Sequence, residues 1–266
     1  MQNKVAEKEF FDATAAMYEA NVGHTVWDYG LILKTLDISN NLNGAKWLEA
    51  GCGAGEWGVQ LSKRNAKVLG IDISDKTIEL NRNINKDVKD YSCIVGDLEN
   101  IASFAENSFD AITCFGVLHH FPDPKIIINN FRVWLKDGGI VCAVEPNGGN
   151  MTTIATNRVK RLLPGSLAHR MGLSSINEDI VHTMDDYYKL FTKRGFTCDL
   201  KTSLNSTEIA AIENCRGITK GILLARTLLD MVKGLLYKKN DICFGDMLAF
   251  RMSVNKLKPS KNNENS

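Results

Sequence analysis

The chain has 266 residues, 44% of them hydrophobic and 24% charged, the balance of an ordinary globular protein with enough length for a sizeable core. Lys and Arg number 32 against 31 Asp and Glu, a net charge of +1, so nothing global points to nucleic acid or to an acidic membrane surface. Seven cysteines without a C-x-x-C pair read as reduced thiols, and the first eleven residues lack an apolar signal core, so the expectation is a cytoplasmic protein.

Residues 4–22 place Val5, Phe10, Ala13 and Met17 at helical spacing, and a second helical stretch is expected over 25–36 after a Gly23-His24 break. Trp47 and Leu48 end a buried strand with Glu49 at its carboxyl edge. Gly51, Gly53 and Gly55 then alternate through a tight turn into a helix over 56–65, so that backbone N–H groups can approach a ligand with no Cβ in the way. Strand and helix signals go on alternating, which implies a parallel sheet. Residues 67–73 are a second strand ending on Asp72, and 75–88 a helix with Asp75 at its start. A third strand over 92–96 ends at Asp97, and 109–115 is a fourth. The helix after Pro124 carries Ile127, Ile128, Phe131 and Trp134 and is expected to stop at Gly138-Gly139. A fifth strand, 140–144, then stops at Glu145.

Beyond Gly149 the pattern loosens. Residues 158–170 form a basic amphipathic piece broken at Pro164-Gly165. A helix over 185–194 and a sixth strand over 196–204 follow, then a Leu/Ile-rich helical stretch over 208–237 and a seventh strand over 245–255. Lys220, Arg226, Asp230 and Lys233 interrupt 217–239 too often for a membrane span. That stretch reads as a helix packed on the domain or on a second copy, or as a lid meeting a membrane surface and guiding a lipophilic acceptor. The expected division is one domain over 1–255, with a helical cap at 1–36, a core at 40–147 and helical insertions at 150–180 and 205–240. A disordered polar tail at 256–266 closes the chain.

Gly53-Ala54-Gly55-Glu56-Trp57-Gly58 is a literal dinucleotide G-x-G-x-x-G, with Asp72 roughly 20 residues on. The stretch from Glu49 to Gly55 also fills, at every position, the E/D-x-G-x-G-x-G motif of the class I S-adenosylmethionine (AdoMet)-dependent methyltransferases, and the chain resembles that family. Phe115-Gly116-Val117-Leu118-His119-His120-Phe121-Pro122-Asp123 is similar to a stretch of its small-molecule branch, which includes the ubiquinone and menaquinone methyltransferases. The resemblance covers about residues 40–147 well and the N-terminal cap less so.

The resemblance implies a Rossmann-like sheet of seven mostly parallel strands with a reversed seventh, helices on both faces, and methyl transfer from AdoMet to a small molecule. Asp72 would accept the ribose hydroxyls and Asp97 the adenine amine, with Ile73 and Leu98 sandwiching the ring. The turn of Gly51, Cys52, Gly53 and Gly55 would take the amino-acid end, with Glu49 facing it. Phe115 and Gly116 would line the methyl channel, and Tyr18 would close over the cofactor from the cap.

For catalysis the candidates are His119, His120 and Glu145. An imidazole suits deprotonation of a phenol, hydroxyl or carbon acid. On a helix the two histidines would point about 100° apart, so at most one would face the acceptor. Adjacent histidines rarely converge on one ion, and no metal site is read here. Two other readings stay open: a protein that holds AdoMet without turnover, and a nicotinamide-dependent oxidoreductase. Carboxylates at Asp97 and before the glycines weigh against the second, because a pyrophosphate would be repelled. Three apolar-rich segments point to a bulky, largely apolar acceptor: Phe10 and Phe11 with Tyr18, residues 158–170, and residues 217–239.

Overall fold

The computed structural model describes residues 4–20, 27–121, 123–150, 153–154, 181–205 and 245–256. Seven strands form one sheet: β1 Lys46–Ala50, β2 Lys67–Asp72, β3 Tyr91–Val95, β4 Phe109–Phe115, β5 Leu135–Pro146, β6 Phe196–Leu204 and β7 Met247–Val254. Their order is β3-β2-β1-β4-β5-β7-β6. The first five are parallel, and β7 runs antiparallel between β5 and β6. This is the expected Rossmann-like architecture with its reversed seventh strand. Strands β1 and β4 are buried on both faces, which is why WLEA and AITC read as nearly unbroken apolar runs.

Six described helices flank the sheet: α1 Lys4–Ala20, α2 Tyr29–Thr35, α3 Glu56–Ser62, α4 Asp75–Ile84, α5 Lys125–Trp134 and α6 Met184–Thr192. One face packs Ile32 and Leu33 of α2, Leu36 at its end, and Trp57 and Leu61 of α3 against Trp47, Val68 and Val144. The other packs Phe131 and Trp134 of α5 and Tyr187 and Phe191 of α6 against Ile112, Val141 and Phe250. The strand order reverses between β1 and β4, and the crevice at the carboxyl ends of those strands is where such sheets bind ligands.

Several boundaries differ from the sequence reading. Helix α5 stops at Trp134 rather than at Gly138-Gly139, because Leu135 is already extended and pairs with Phe109. Gly138, at φ +73°, lies in the irregularity that follows, before Ile140 takes up pairing with Ala111. Strand β5 therefore begins earlier than expected and carries Glu145 inside its pairing, opposite Leu248. Helix α2 starts at Tyr29, where the Asp28 carboxylate accepts Leu31 N–H. The cap of α4 is Ser74, whose Oγ accepts Thr77 N–H, and Asp75 sits in the first turn. The amphipathic piece at 158–170, the helix expected over 208–237, the stretch 217–239, residues 21–26, Pro122 and the tail from 257 onward lie outside the described residues.

Candidate functional site

Strand β1 runs straight into the glycine turn. Gly53 has φ +49°, and a Cβ built there would meet nothing within 4 Å, so its open side is the crevice itself. Asp72, at the end of β2, holds the turn from the side: its Oδ2 accepts Gly53 N–H at 3.0 Å and its Oδ1 accepts Ser74 N–H at 3.0 Å. Burial pushes the Asp72 carboxyl above its ordinary value. Asp97, after β3, accepts Glu99 N–H at 2.9 Å through Oδ1 and pairs with Lys4 Nζ at 2.5 Å through Oδ2. A carboxylate offers about four acceptor sites, so each of these groups keeps capacity for a ligand donor.

These elements enclose a cleft of about 840 Å³, counting its open mouth. Eight of the expected residues line it together: Gly51, Gly53, Asp72, Ile73, Asp97, Leu98, Phe115 and Gly116. His120 lines it as well. Residues that sequence reasoning did not assign to the site also line it, among them Glu7 from α1, Thr77 from α4, and Val117, and Phe11, expected over the acceptor, lines this cleft too. Helix α1 lies across the ends of β2 and β3, clasped by charge at several points. Lys4 pairs with Asp97 and Glu99, Lys8 with Asp12 and Asp75, and Asp12 accepts Ser74 Oγ–H at 2.6 Å. The hint for Phe11 was its place in the aromatic string of the cap. Tyr18 lies on the same helix, and its side chain is outside the described residues.

The other expected residues sit elsewhere. Glu49 does not face the cleft: it is 4% exposed beneath the turn, accepting Gly58 N–H at 3.0 Å and Tyr91 Oη–H at 3.3 Å. Burial with so few donors pushes its carboxyl up to about 8. Cys52 is buried against Gly70, and Gly55 packs over Tyr91, Asn81 and Asn85 rather than toward the crevice. Glu145 is the clearest correction, because it does not point to an acceptor. Fully buried, it accepts N–H from Val117 at 2.9 Å, Leu118 at 2.8 Å and His119 at 3.3 Å.

The two histidines do not ride on a regular helix. Leu118–His120 is a single 3₁₀ turn, and the two rings face one another with centroids 4.1 Å apart and planes at 37°. Their partners separate them. His119 Nδ1 is 2.8 Å from Glu145 Oε2, whereas His120 Nδ1 is 3.1 Å from Glu7 Oε1 and its ring meets Phe11 edge-on at 5.4 Å. One imidazole is thus tied to the sheet and the other to the cap helix. His182, which the sequence did not single out, packs on Tyr187 with ring centroids 5.2 Å apart, and its carbonyl accepts Gly148 N–H. Burial depresses its pKa. Among the described residues no group of three His, Cys, Asp or Glu is placed to hold a metal.

Comparison with known proteins agrees with this geometry. A family model described as "Methyltransferase domain" matches residues 48–143. A ubiquinone biosynthesis O-methyltransferase of Chromobacterium violaceum is 32% identical over 114 residues, 42% of this chain and 48% of that protein. The chain spans about half the length of the curated relatives it matches. Among solved structures, a SAM-dependent methyltransferase of Thermotoga maritima superposes with a TM-score of 0.60 at 15% identity, over 93% of this chain and 99% of that one. A phosphoethanolamine N-methyltransferase of Haemonchus contortus, solved with phosphomonomethylethanolamine and S-adenosylhomocysteine, superposes with a TM-score of 0.63 at 17% identity, over 94% of this chain and 60% of that one. At such identities the structural likeness is one of fold.

Proposed function

We propose that the chain, whose residues 48–143 match a methyltransferase domain, transfers a methyl group from S-adenosylmethionine to a small, largely apolar molecule, leaving S-adenosylhomocysteine. The observation that carries this reading is the convergence of Gly53, Asp72, Asp97 and Leu98 on one cleft at the strand ends. The donor set fits this cofactor. Open space over Gly53 admits its amino-acid end, Asp72 and Asp97 offer acceptors to hydroxyl and amine groups, and Ile73 and Leu98 offer apolar walls. Asp72 alone would suit the ribose of a dinucleotide as well, but a carboxylate at Asp97 has no place in the dinucleotide fingerprint.

When bound, AdoMet supplies a methyl carbon activated by the adjoining sulfonium, so alignment can provide much of the acceleration. The chain's own contribution is to bind, align and deprotonate. Glu145 fixes His119 through Nδ1, which leaves Nε2 as the ring's basic atom, and we assign His119 as general base for a hydroxyl acceptor. His120 lines the cofactor cleft and holds helix α1 over it. An apolar acceptor is supported by the curated relatives' names, which place them in ubiquinone biosynthesis. The stretch 217–239 is proposed to cover that acceptor, at a membrane surface or against a second copy. Among the described helices none is long and apolar enough to cross a membrane. A cytoplasmic setting is supported by the described cysteines, all of them free.

Calorimetric titration with AdoMet tests the cofactor assignment. Asp72→Ala removes a charge-assisted acceptor and is expected to raise Kd by roughly one to two decades while the protein stays folded. Gly53→Val should bind more weakly still, because a branched side chain fills the open side of the turn. An unchanged Kd in folded Asp72→Ala would overturn the assignment.

A further inference from the structure

The glycine turn is held from below as well as from the side. Asn81 lies in the last turn of α4 and Asn85, four residues on, is its C-cap, so their side chains leave the same side of the helix end. Asn81 is fully buried. Asparagine is a poor choice for a buried helix interior unless its amide is used, and here every amide proton is spent. Asn81 Nδ2 donates to the Gly53 carbonyl at 2.8 Å and to Tyr91 Oη at 2.9 Å. Asn85 Nδ2 donates to the Ala54 carbonyl at 2.8 Å and to Asn81 Oδ1 at 3.0 Å.

We propose that Asn81 and Asn85 are positioning residues for the cofactor: by drawing the Gly53 and Ala54 carbonyls down onto α4, they set the peptide planes of the turn. This rests on the reading of the cleft as an AdoMet site. Because a peptide unit is planar and trans, a Gly53 carbonyl aimed at Asn81 turns the Ala54 N–H to the opposite side. That N–H has no acceptor among the described residues, whereas its neighbours do: Gly53 N–H goes to Asp72 and Gly55 N–H to the Cys52 carbonyl. On this proposal the Ala54 N–H, next to the cleft-lining Gly53, is the donor that the turn offers a ligand. Its direction is fixed by two side chains that touch no ligand themselves.

The same network explains the last glycine of the motif. A Cβ on Gly55 would lie 2.5 Å from Tyr91 Oη, 2.8 Å from Asn85 Nδ2 and 2.9 Å from Asn81 Nδ2. Gly53 is a glycine for the ligand's sake. Gly55 is one for the sake of the asparagines.

Asn81→Leu keeps the bulk and removes the donor. Titrated with AdoMet, it is expected to raise Kd about tenfold or more, and Asn85→Ala by a smaller factor. In a ¹H–¹⁵N spectrum, the shift of the Ala54 amide on adding AdoMet should shrink in both. Ile128→Val, a core change on the far face of the sheet, serves as the stability control and should leave Kd within about twofold at a similar loss in Tm. Asn81→Asp adds a readout that general loosening would not give. At neutral pH it sets a carboxylate against the Gly53 carbonyl, and its deficit relative to the parent should narrow as the pH is lowered and the side chain regains a proton to donate. If the parent binds AdoMet and folded Asn81→Leu binds as the parent does, the inference falls and the cofactor assignment stands. If Asn81→Leu does not fold, Asn85→Ala decides by the same titration, an unchanged Kd overturning the proposal. A parent that binds neither AdoMet nor S-adenosylhomocysteine overturns both.

Discussion

Two turns meet at the site, one after β1 and one after β4, and each is built over a buried glutamate. Glu49 and Glu145 both stand near the carboxyl end of a central strand, where a sequence reading aims a carboxylate at the ligand, and both turn inward instead. They differ in what they hold. Glu145 accepts three backbone N–H groups and lies 2.8 Å from an imidazole nitrogen, whereas Glu49 accepts one backbone N–H and the O–H of a distant phenol. A buried carboxylate is tolerated as an anion only when enough donors replace its lost water. The β4 turn is thus organised by the carboxylate. The β1 turn is organised by the asparagines and Asp72 around it, with Glu49 as filler that keeps its proton.

The largest expected difference comes from removing each carboxylate. Glu145→Ala strands three amides and a histidine in a buried site and should cost roughly 3–5 kcal/mol of stability. Glu49→Ala strands one amide and should cost less. Urea unfolding of the pair measures this, and equal losses would break the distinction between the turns. Second in size is the contrast between the histidines. His119→Ala should lower turnover by about 10²-fold with AdoMet affinity unchanged, as removal of a base does. His120→Ala should act chiefly on AdoMet affinity, since it lines the cleft and contacts α1. Steady-state kinetics beside calorimetry separate the two, and equal turnover in both variants would shift catalysis to alignment alone.

Much of this was legible in the sequence, for reasons that can be named. Unbroken apolar runs such as WLEA mark parallel strands, and Asp72 and Asp97 are conspicuous because a carboxylate at a strand end needs a purpose. The inward turn of Glu49 and Glu145 was not legible, because which way a strand-end side chain leans is decided by donors far away in sequence. For Glu145 those donors lie 26 to 28 positions earlier, and for Glu49 one lies 42 positions later. Asn81 and Asn85 escaped for a related reason: on a helix with Arg82 and Glu79 they read as solvent-facing polar residues, and only the packing of α4 under the turn gives them work. His119 and His120 sit on a three-residue 3₁₀ turn rather than an α-helix, so side-chain torsions bring their rings together, and of the two only His120 lines the cleft.

Third in size is the pH response of the Glu49 turn. The buried carboxyl keeps its proton up to about pH 8, whereas in the unfolded chain it loses that proton in the ordinary carboxylate range. The folded state therefore gains from protonation. This contribution is complete below the ordinary range and is lost as pH rises toward 8, roughly 2 kcal/mol of it between pH 6 and 8. Glu49→Gln has nothing to titrate, so the difference in unfolding free energy between it and the parent should grow over that window. A difference that stays flat would mean that Glu49 is ionised in the fold, as the organiser of its own turn.

The smallest effect is expected at the cap, where α1 reaches the loop after β3 through Lys4 and Asp97 and the turn after β4 through Glu7 and His120. Lys4 pairs with Asp97 and Glu99 but is 39% exposed, and ion pairs at that exposure are worth about 0–1 kcal/mol. Two effects oppose each other in Lys4→Met. Losing the clasp loosens α1 over the cleft, which weakens cofactor binding. Freeing Asp97 Oδ2 gives the carboxylate back an acceptor site, which would strengthen it. Glu99 N–H and Lys4 together occupy only two of about four acceptor sites on Asp97, so a ligand amine need not displace the lysine. The clasp term should then prevail, with AdoMet Kd raised about two- to fivefold and the increase fading at high salt, where the parent's ion pair is screened as well. Tighter binding in Lys4→Met would show that Lys4 and the ligand compete for Asp97, and that the cap holds the cleft against its cofactor.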